Sequence, residues 1–125
     1  MTTNILLVFL GGGIGSVLRY GAGIWVYRIY PTPWPLSTWL VNILGSLLIG
    51  IVYGLVIAEN QVGMLHKLLF MTGFCGGFTT FSSFSYENLM LLQDGAYLRF
   101  VTYAFSSLIV GILMVFLGYR LAGQL

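Results

Sequence analysis

Apolar residues gather in four runs along this chain, at about residues 5–27, 37–58, 68–92 and 97–119. Each run is close to the roughly 20 residues a helix needs to cross the hydrocarbon core of a bilayer. The pattern therefore predicts four transmembrane helices. The separators are short and carry turn chemistry: the proline-rich Tyr30-Pro31-Thr32-Pro33-Trp34-Pro35, the polar Glu59-Asn60-Gln61 and the tight Gln93-Asp94-Gly95. No linker or soluble domain is left over, so residues 1–125 read as one all-α integral membrane domain. The first run has no Lys or Arg before it and continues past Gly13 towards Trp25. It is expected to stay as a helix and not to be removed as a signal peptide, which has a basic start and a short apolar core.

The third run breaks the apolar pattern. From Gly73 to Asn88 it reads Gly-Phe-Cys-Gly-Gly-Phe-Thr-Thr-Phe-Ser-Ser-Phe-Ser-Tyr-Glu-Asn, placing paired glycines, paired threonines, three serines and a carboxylate at membrane depth. Hydrocarbon gives the backbone no water, so irregular or polar segments survive there only when protein or a hydrated path satisfies them. A break in the third helix near residues 76–80 is expected. If it falls across Gly76-Gly77, carbonyls near Gly76 and Thr79 lose their intrahelical partners and become able to coordinate a cation.

Small and polar residues also recur at helical spacing. Asn42, Ser46, Gly50 and Gly54 follow each other every four residues in the second run, as do Tyr103, Ser107 and Gly111 in the fourth. Such stripes let membrane helices approach closely and bond across the contact. Gly11 and Gly15 in the first run are expected to pack in the same way. The Gly11-Gly12-Gly13-Ile14-Gly15 stretch does not read as a dinucleotide site, because that motif needs a preceding strand.

Composition and charge sharpen this picture. The chain is 58% hydrophobic and 6% charged, with a mean hydropathy of +0.96. Its net charge of +2 comes from scattered residues and not from the clustered basic patch that nucleic-acid binding needs. Lys67 and Arg120 fall on the side of the termini and the second loop, Arg28 and Arg99 on the other, with Arg19 assignable to that other side. So balanced a count sets no orientation by the positive-inside rule, and insertion both ways round would allow an antiparallel dimer. Trp25, Tyr27, Tyr30, Trp34 and Trp39 read as an interfacial belt. The lone Cys75 excludes an internal disulfide.

Catalysis is not expected. His66 stands alone beside Lys67, and Glu59 and Asp94 sit at separate loops, so no nucleophile, base and orienting group can be assembled. The buried polar set suits permeation: Asn42, Thr79, Thr80, Ser82, Ser83, Ser85, Glu87, Tyr103 and Ser107 supply hydroxyls and an amide without a ring of charge. Phe81 and Phe84 share one helix face, and their electropositive ring edges can line an anion's path. Arg19 either snorkels to an interface or collects anions at a vestibule. Glu87 is an intramembrane carboxylate and so a candidate for function.

The stretch Gly73 to Ser85 resembles the third-helix motif of the Fluc/CrcB fluoride channels. Gly12-Gly13-Ile14-Gly15 followed by Arg19, and Thr38-Trp39-Leu40-Val41-Asn42-Ile43-Leu44-Gly45, resemble the family in the first and second helices. The resemblance spans the chain in length, helix number and motif order. It implies an antiparallel, dual-topology homodimer of four-helix subunits in the inner or plasma membrane, with two fluoride pathways and a structural Na+ ion. By position, Phe81 and Phe84 resemble the fluoride-contacting phenylalanines, Asn42 the pore asparagine, and Arg19 the vestibule arginine. The carbonyls of Gly76 and Thr79 resemble the sodium ligands. Thr80, Ser82 and Ser83 fall in the polar track, and Tyr103 and Ser107 match fourth-helix pore positions. Ser83 stands where the family commonly has Thr, which keeps the hydroxyl.

The function implied is passive, selective export of cytoplasmic fluoride. Two other readings compete with it. A proton-coupled exporter of the small multidrug type resembles this chain in size but has a glutamate in its first helix, where this chain has only Arg19. A non-transporting assembly subunit would not need the buried polar positions.

Overall fold

The computed structural model describes residues 1–59 and 63–123 and is helical throughout, with no strand among the described residues. Helix α1 spans Thr2–Ile29 and α2 spans Leu36–Glu59. A short α3 (Met64–His66) leads into a π-helix over Lys67–Cys75, which closes through α4 (Gly76–Phe78). Helix α5 spans Phe81–Gln93 and α6 spans Tyr97–Ala122. The loop expected at Glu59-Asn60-Gln61 lies outside the described residues, apart from the helical backbone of Glu59.

Among the described residues, three helices are long and apolar enough to cross a membrane: α1, Leu36–Val56 within α2, and α6. Their outer faces carry Phe9, Val17, Leu108 and Ile112, all exposed on the single chain. Apolar surface on that scale belongs against lipid or another protein. The helices outrun the apolar runs by a few residues at their ends, because backbone bonding continues into polar flanks such as Thr2, Arg28 and Arg120.

The two turns follow their sequence. Pro31, Pro33 and Pro35 cannot donate backbone bonds, and α2 begins directly after the last of them, with the Trp39 N–H reaching the Pro35 carbonyl at 3.1 Å. Gly95 adopts a φ of 68°, and the Ala96 N–H bonds back to Leu91 O at 2.9 Å. That is the left-handed stop that favours glycine after a helix.

Glycines set the packing. A Cβ on Gly11 would collide with the Leu69 carbonyl, one on Gly15 with the Phe74 carbonyl, and one on Gly77 with the Gly12 carbonyl. Helix α1 thus meets the π-helix and α4 backbone to backbone, as small residues allow in membranes. On the other side, Gly50 lies against the Val115 carbonyl and Gly118 against the Leu47 carbonyl, which draws α2 onto α6.

The π-helix was not expected, and the interruption falls within the expected residues 76–80 but beyond the Gly76-Gly77 pair. Gly76 and Gly77 are helical. The extended residues are Thr79 (φ −81°, ψ 159°) and Thr80 (φ −149°, ψ 124°). Gly77 is needed for contact with α1, whereas Thr80 is an N-cap, a role in which threonine oxygens replace missing helix acceptors.

Candidate functional site

Two extended residues between α4 and α5 leave peptide groups without helix partners, and buried peptide groups must be satisfied. Asn42 of α2 does this twice. Its Oδ1 accepts from the Thr80 N–H at 2.8 Å, and its Nδ2 donates to the Thr80 carbonyl at 3.1 Å. In a continuous helix that N–H would serve the Gly76 carbonyl. The Thr79 N–H and hydroxyl both turn back to the Cys75 carbonyl, at 3.0 and 2.8 Å.

Helix α5 then starts on a capped turn. Thr80 Oγ1 accepts from the Ser83 N–H at 3.2 Å, donates to Ser83 Oγ at 3.1 Å, and lies 3.2 Å from Ser82 Oγ. On the far side of the break the Gly77 carbonyl is claimed from α1, by Arg19 Nε at 3.1 Å and Ser16 Oγ at 3.4 Å. Arg19 is therefore anchored on the interruption and does not reach only for a headgroup layer.

Two turns into α5, Glu87 is held at both carboxylate oxygens. Thr38 Oγ1 of α2 donates to Oε1 and the Tyr103 hydroxyl of α6 donates to Oε2, each at 2.7 Å. A hydroxyl has one proton to give, so these two spend theirs on Glu87. Tyr103 is the largest fully buried side chain. Its ring lies 5.1 Å from that of Phe84, which in turn lies 5.8 Å from Phe81.

A groove of about 510 Å³ runs past the break. Asn42, Gly76, Thr79, Thr80, Phe81, Phe84 and Ser107 all line it, so seven of the residues singled out in the sequence converge there. The Phe81 ring is 78% exposed on the single chain, aimed away from its own helices. Ser107 Oγ is buried with no hydrogen-bond partner, which leaves its proton free. A second cavity of about 380 Å³ is lined by Arg19, Thr38, Thr80 and Ser83. Thr80 borders both, so the interruption forms the partition between an arginine-bearing cavity and a phenylalanine-bearing groove. Ser82, Glu87 and Tyr103 line neither; Ser82 is exposed, and the other two belong to the network behind Phe84.

Residues the sequence reading did not single out complete the site. Thr38 stands one turn before Asn42 in the same every-fourth-residue series, a signal that would have found it. Asn88 is buried, donates to the Phe84 carbonyl at 2.8 Å and has an unpartnered Oδ1. Among the described residues no cluster of His, Cys, Asp or Glu is arranged to hold a metal. Any cation here would have to use neutral oxygens.

Residues 6–119 match the model of the family described as CrcB-like protein, Camphor Resistance (CrcB). The chain belongs to the CrcB family. CrcB relatives match it nearly end to end. It is 48% identical over 121 residues to the fluoride-specific ion channel FluC of Azobacteroides pseudotrichonymphae, covering 97% of each chain. It is 51% identical over 120 residues to the protein of that name from Thermus thermophilus, covering 96% of this chain and 94% of the relative. Against that of Phocaeicola vulgatus it is 50% identical over 115 residues, covering 92% and 94%. The CrcB resemblance read from Gly73 to Ser85 is thus established, and with three apolar spans the protein is an integral membrane protein.

Proposed function

We propose that this chain is the subunit of a fluoride-selective channel that lets fluoride leave the cytoplasm passively. The reading is carried by identity near one half, along almost the whole chain, to proteins named as fluoride-specific ion channels. Those names are of channels and not of enzymes, in keeping with the absence of a catalytic constellation from the sequence.

The groove's chemistry supports this reading. Fluoride is small and strongly hydrated, and a route for it must offer donors without trapping it. The free Ser107 hydroxyl and the ring edges of Phe81 and Phe84 offer weak, repeated attraction. Arg19 on the opposite side of Thr80 supplies the positive charge that gathers anions at a mouth. Thr80, Ser82 and Ser83 continue the hydroxyl track along the first turn of α5. Glu87 fixes Tyr103 and Thr38 and keeps their protons from the anion. A proton-coupled exporter would need a carboxylate free to exchange its proton, and Glu87 is tied at both oxygens.

In this proposal α3 through α5 together make a fourth, interrupted crossing. Two subunits insert antiparallel in the inner or plasma membrane, the exposed Phe81 of each facing its partner, and two pathways result. Sodium fits the interruption: the Gly76 carbonyl has lost the Thr80 N–H to Asn42, and a Cβ on Gly76 would meet only the Met71 carbonyl at 4.0 Å. Hard carbonyl oxygens suit a hard cation. Gly76 and Thr79 would hold the ion together with their symmetry mates, and its charge would lock the two interruptions together.

The test is efflux from liposomes holding the purified protein. Fluoride should leave rapidly only when an electrical shunt is present, without proton coupling, while chloride stays. Chloride flux equal to fluoride flux, or no fluoride flux at all, would overturn the proposal.

A further inference from the structure

We infer that Trp34, in the proline-rich connection between α1 and α2, is a positioning residue for the anion route, acting through Tyr103; this rests on the channel reading above. Trp34 is more than a belt residue. Pro33 and Pro35 flank it and fix the backbone on either side, and its own N–H bonds to Thr32 Oγ1 at 3.2 Å. Its indole Nε1 donates to Thr102 Oγ1 at 3.3 Å, and Thr102 is in turn bonded to the Leu98 carbonyl at 2.9 Å. The ring is thereby set on α6, one residue away from Tyr103.

The contact that follows is specific. Trp34 meets the Tyr103 ring edge-on, with centroids 5.3 Å apart and planes at 77°. Phe84 meets the same ring from its other neighbour helix at 5.1 Å. Tyr103 is gripped between the two, and that grip aims its hydroxyl at Glu87 Oε2. Without the indole, space opens beside a fully buried ring, and interiors are close-packed enough for a neighbour to move into it. Tyr103 would then turn, Phe84 would lose its backing in the groove wall, and Glu87 would lose one of its two hydroxyls.

Trp39 supplies the internal comparison. It sits beside Trp34 at 5.9 Å and donates its own Nε1 to Ser106 Oγ on α6 at 3.0 Å. Among the described aromatic pairs it meets Trp34 and not Tyr103. Both tryptophans anchor the same connection to the same helix. Only Trp34 touches the ring behind Phe84.

The experiment reconstitutes the wild type, Trp34→Leu, Trp34→Phe and Trp39→Leu in liposomes and measures shunted fluoride efflux, with chloride efflux and thermal midpoint alongside. Trp34→Leu should lower fluoride efflux roughly ten-fold, the scale of one lost aromatic contact, with Trp34→Phe restoring most of it. Trp39→Leu should match Trp34→Leu in thermal midpoint yet keep its fluoride efflux. Equal losses in the two leucine variants, or no restoration by phenylalanine, would overturn the assignment by making Trp34 an anchor only. If Trp34→Leu does not accumulate in folded form, Thr102→Val frees the indole without removing it, and should slow efflux about two-fold. Unchanged efflux in that variant would also overturn the assignment. A wild type that passes no fluoride would sink the channel reading itself, a result distinct from either.

Discussion

The two sides of the α4–α5 interruption are built on opposite principles. Towards α1 the contact is made by removing side chains: Gly11, Gly15 and Gly77 bring backbone against backbone, with no room for a methyl group. Towards α2 and α6 it is made by placing side chains, with Asn42, Thr38, Glu87 and Tyr103 bonded at 2.7 to 3.1 Å beside an open groove. On the first side the glycine contacts can only hold, and Arg19 and Ser16 on the Gly77 carbonyl are the polar side chains it adds. The second can hold and also offer chemistry, because each polar atom there is a choice that a glycine contact does not have.

Substitutions should separate the two sides. The largest effect is expected from Gly15→Val, whose branched side chain would enter the Phe74 carbonyl. Backbone cannot yield as a flexible side chain does, so the loss should reach at least the ~3 kcal/mol seen for severe overpacking. Thermal unfolding in detergent would read it, and a wild-type midpoint would mean that α1 is not held by this contact. Asn42→Leu comes next. It strands the N–H and carbonyl of Thr80, at about 1 to 3 kcal/mol for each group left unpaired. Both stability and fluoride efflux should fall, and Asn42→Asp, which keeps only the acceptor, should fall between.

Replacing sodium by a bulky organic cation tests the Gly76 and Thr79 carbonyls. If the ion is bound at 100 times its Kd, its removal should cost about 2.7 kcal/mol. A thermal midpoint that ignores sodium would argue against the cation. The smallest effect on folding is expected from Phe81→Ile, since that ring is 78% exposed on the single chain. The fold of the single subunit should change in stability by no more than about 0.5 kcal/mol, as for surface substitutions, while fluoride efflux drops. The reverse pattern would move Phe81 from the route to the core.

Sequence carried different amounts of the two sides. The helical runs, the proline-rich and Asp94-Gly95 turns, and the stripe from Asn42 to Gly54 were legible, because apolar length, turn residues and i, i+4 spacing act locally. The stretch that is interrupted, residues 76–80, was legible as well, but the place of the break within it was not. Gly76-Gly77 is the weaker helix former on propensity, yet α1 presses on Gly77 and keeps it helical, while Asn42, more than thirty residues earlier, releases Thr80. Arg19 was legible as an intramembrane charge, but its bond to the Gly77 carbonyl depends on how α1 docks. Trp34 was legible only as a belt residue and Thr38 only as part of a motif, because their partners, Tyr103 and Glu87, lie on other helices.

The way Asn42 treats Thr80 bears on motion. A side-chain amide has the same donor and acceptor as a peptide group, so Asn42 acts as a borrowed peptide laid across the gap. A chain that bends where both peptide groups of Thr80 are bonded is not a hinge at that residue. Opening it would require two bonds to break together. The Thr80 amide should accordingly exchange its hydrogen with solvent as slowly as amides in the middle of α2. The point where the helix is interrupted would then be among the stiffest in the molecule, a fixed threshold past which an ion moves while the protein stays still.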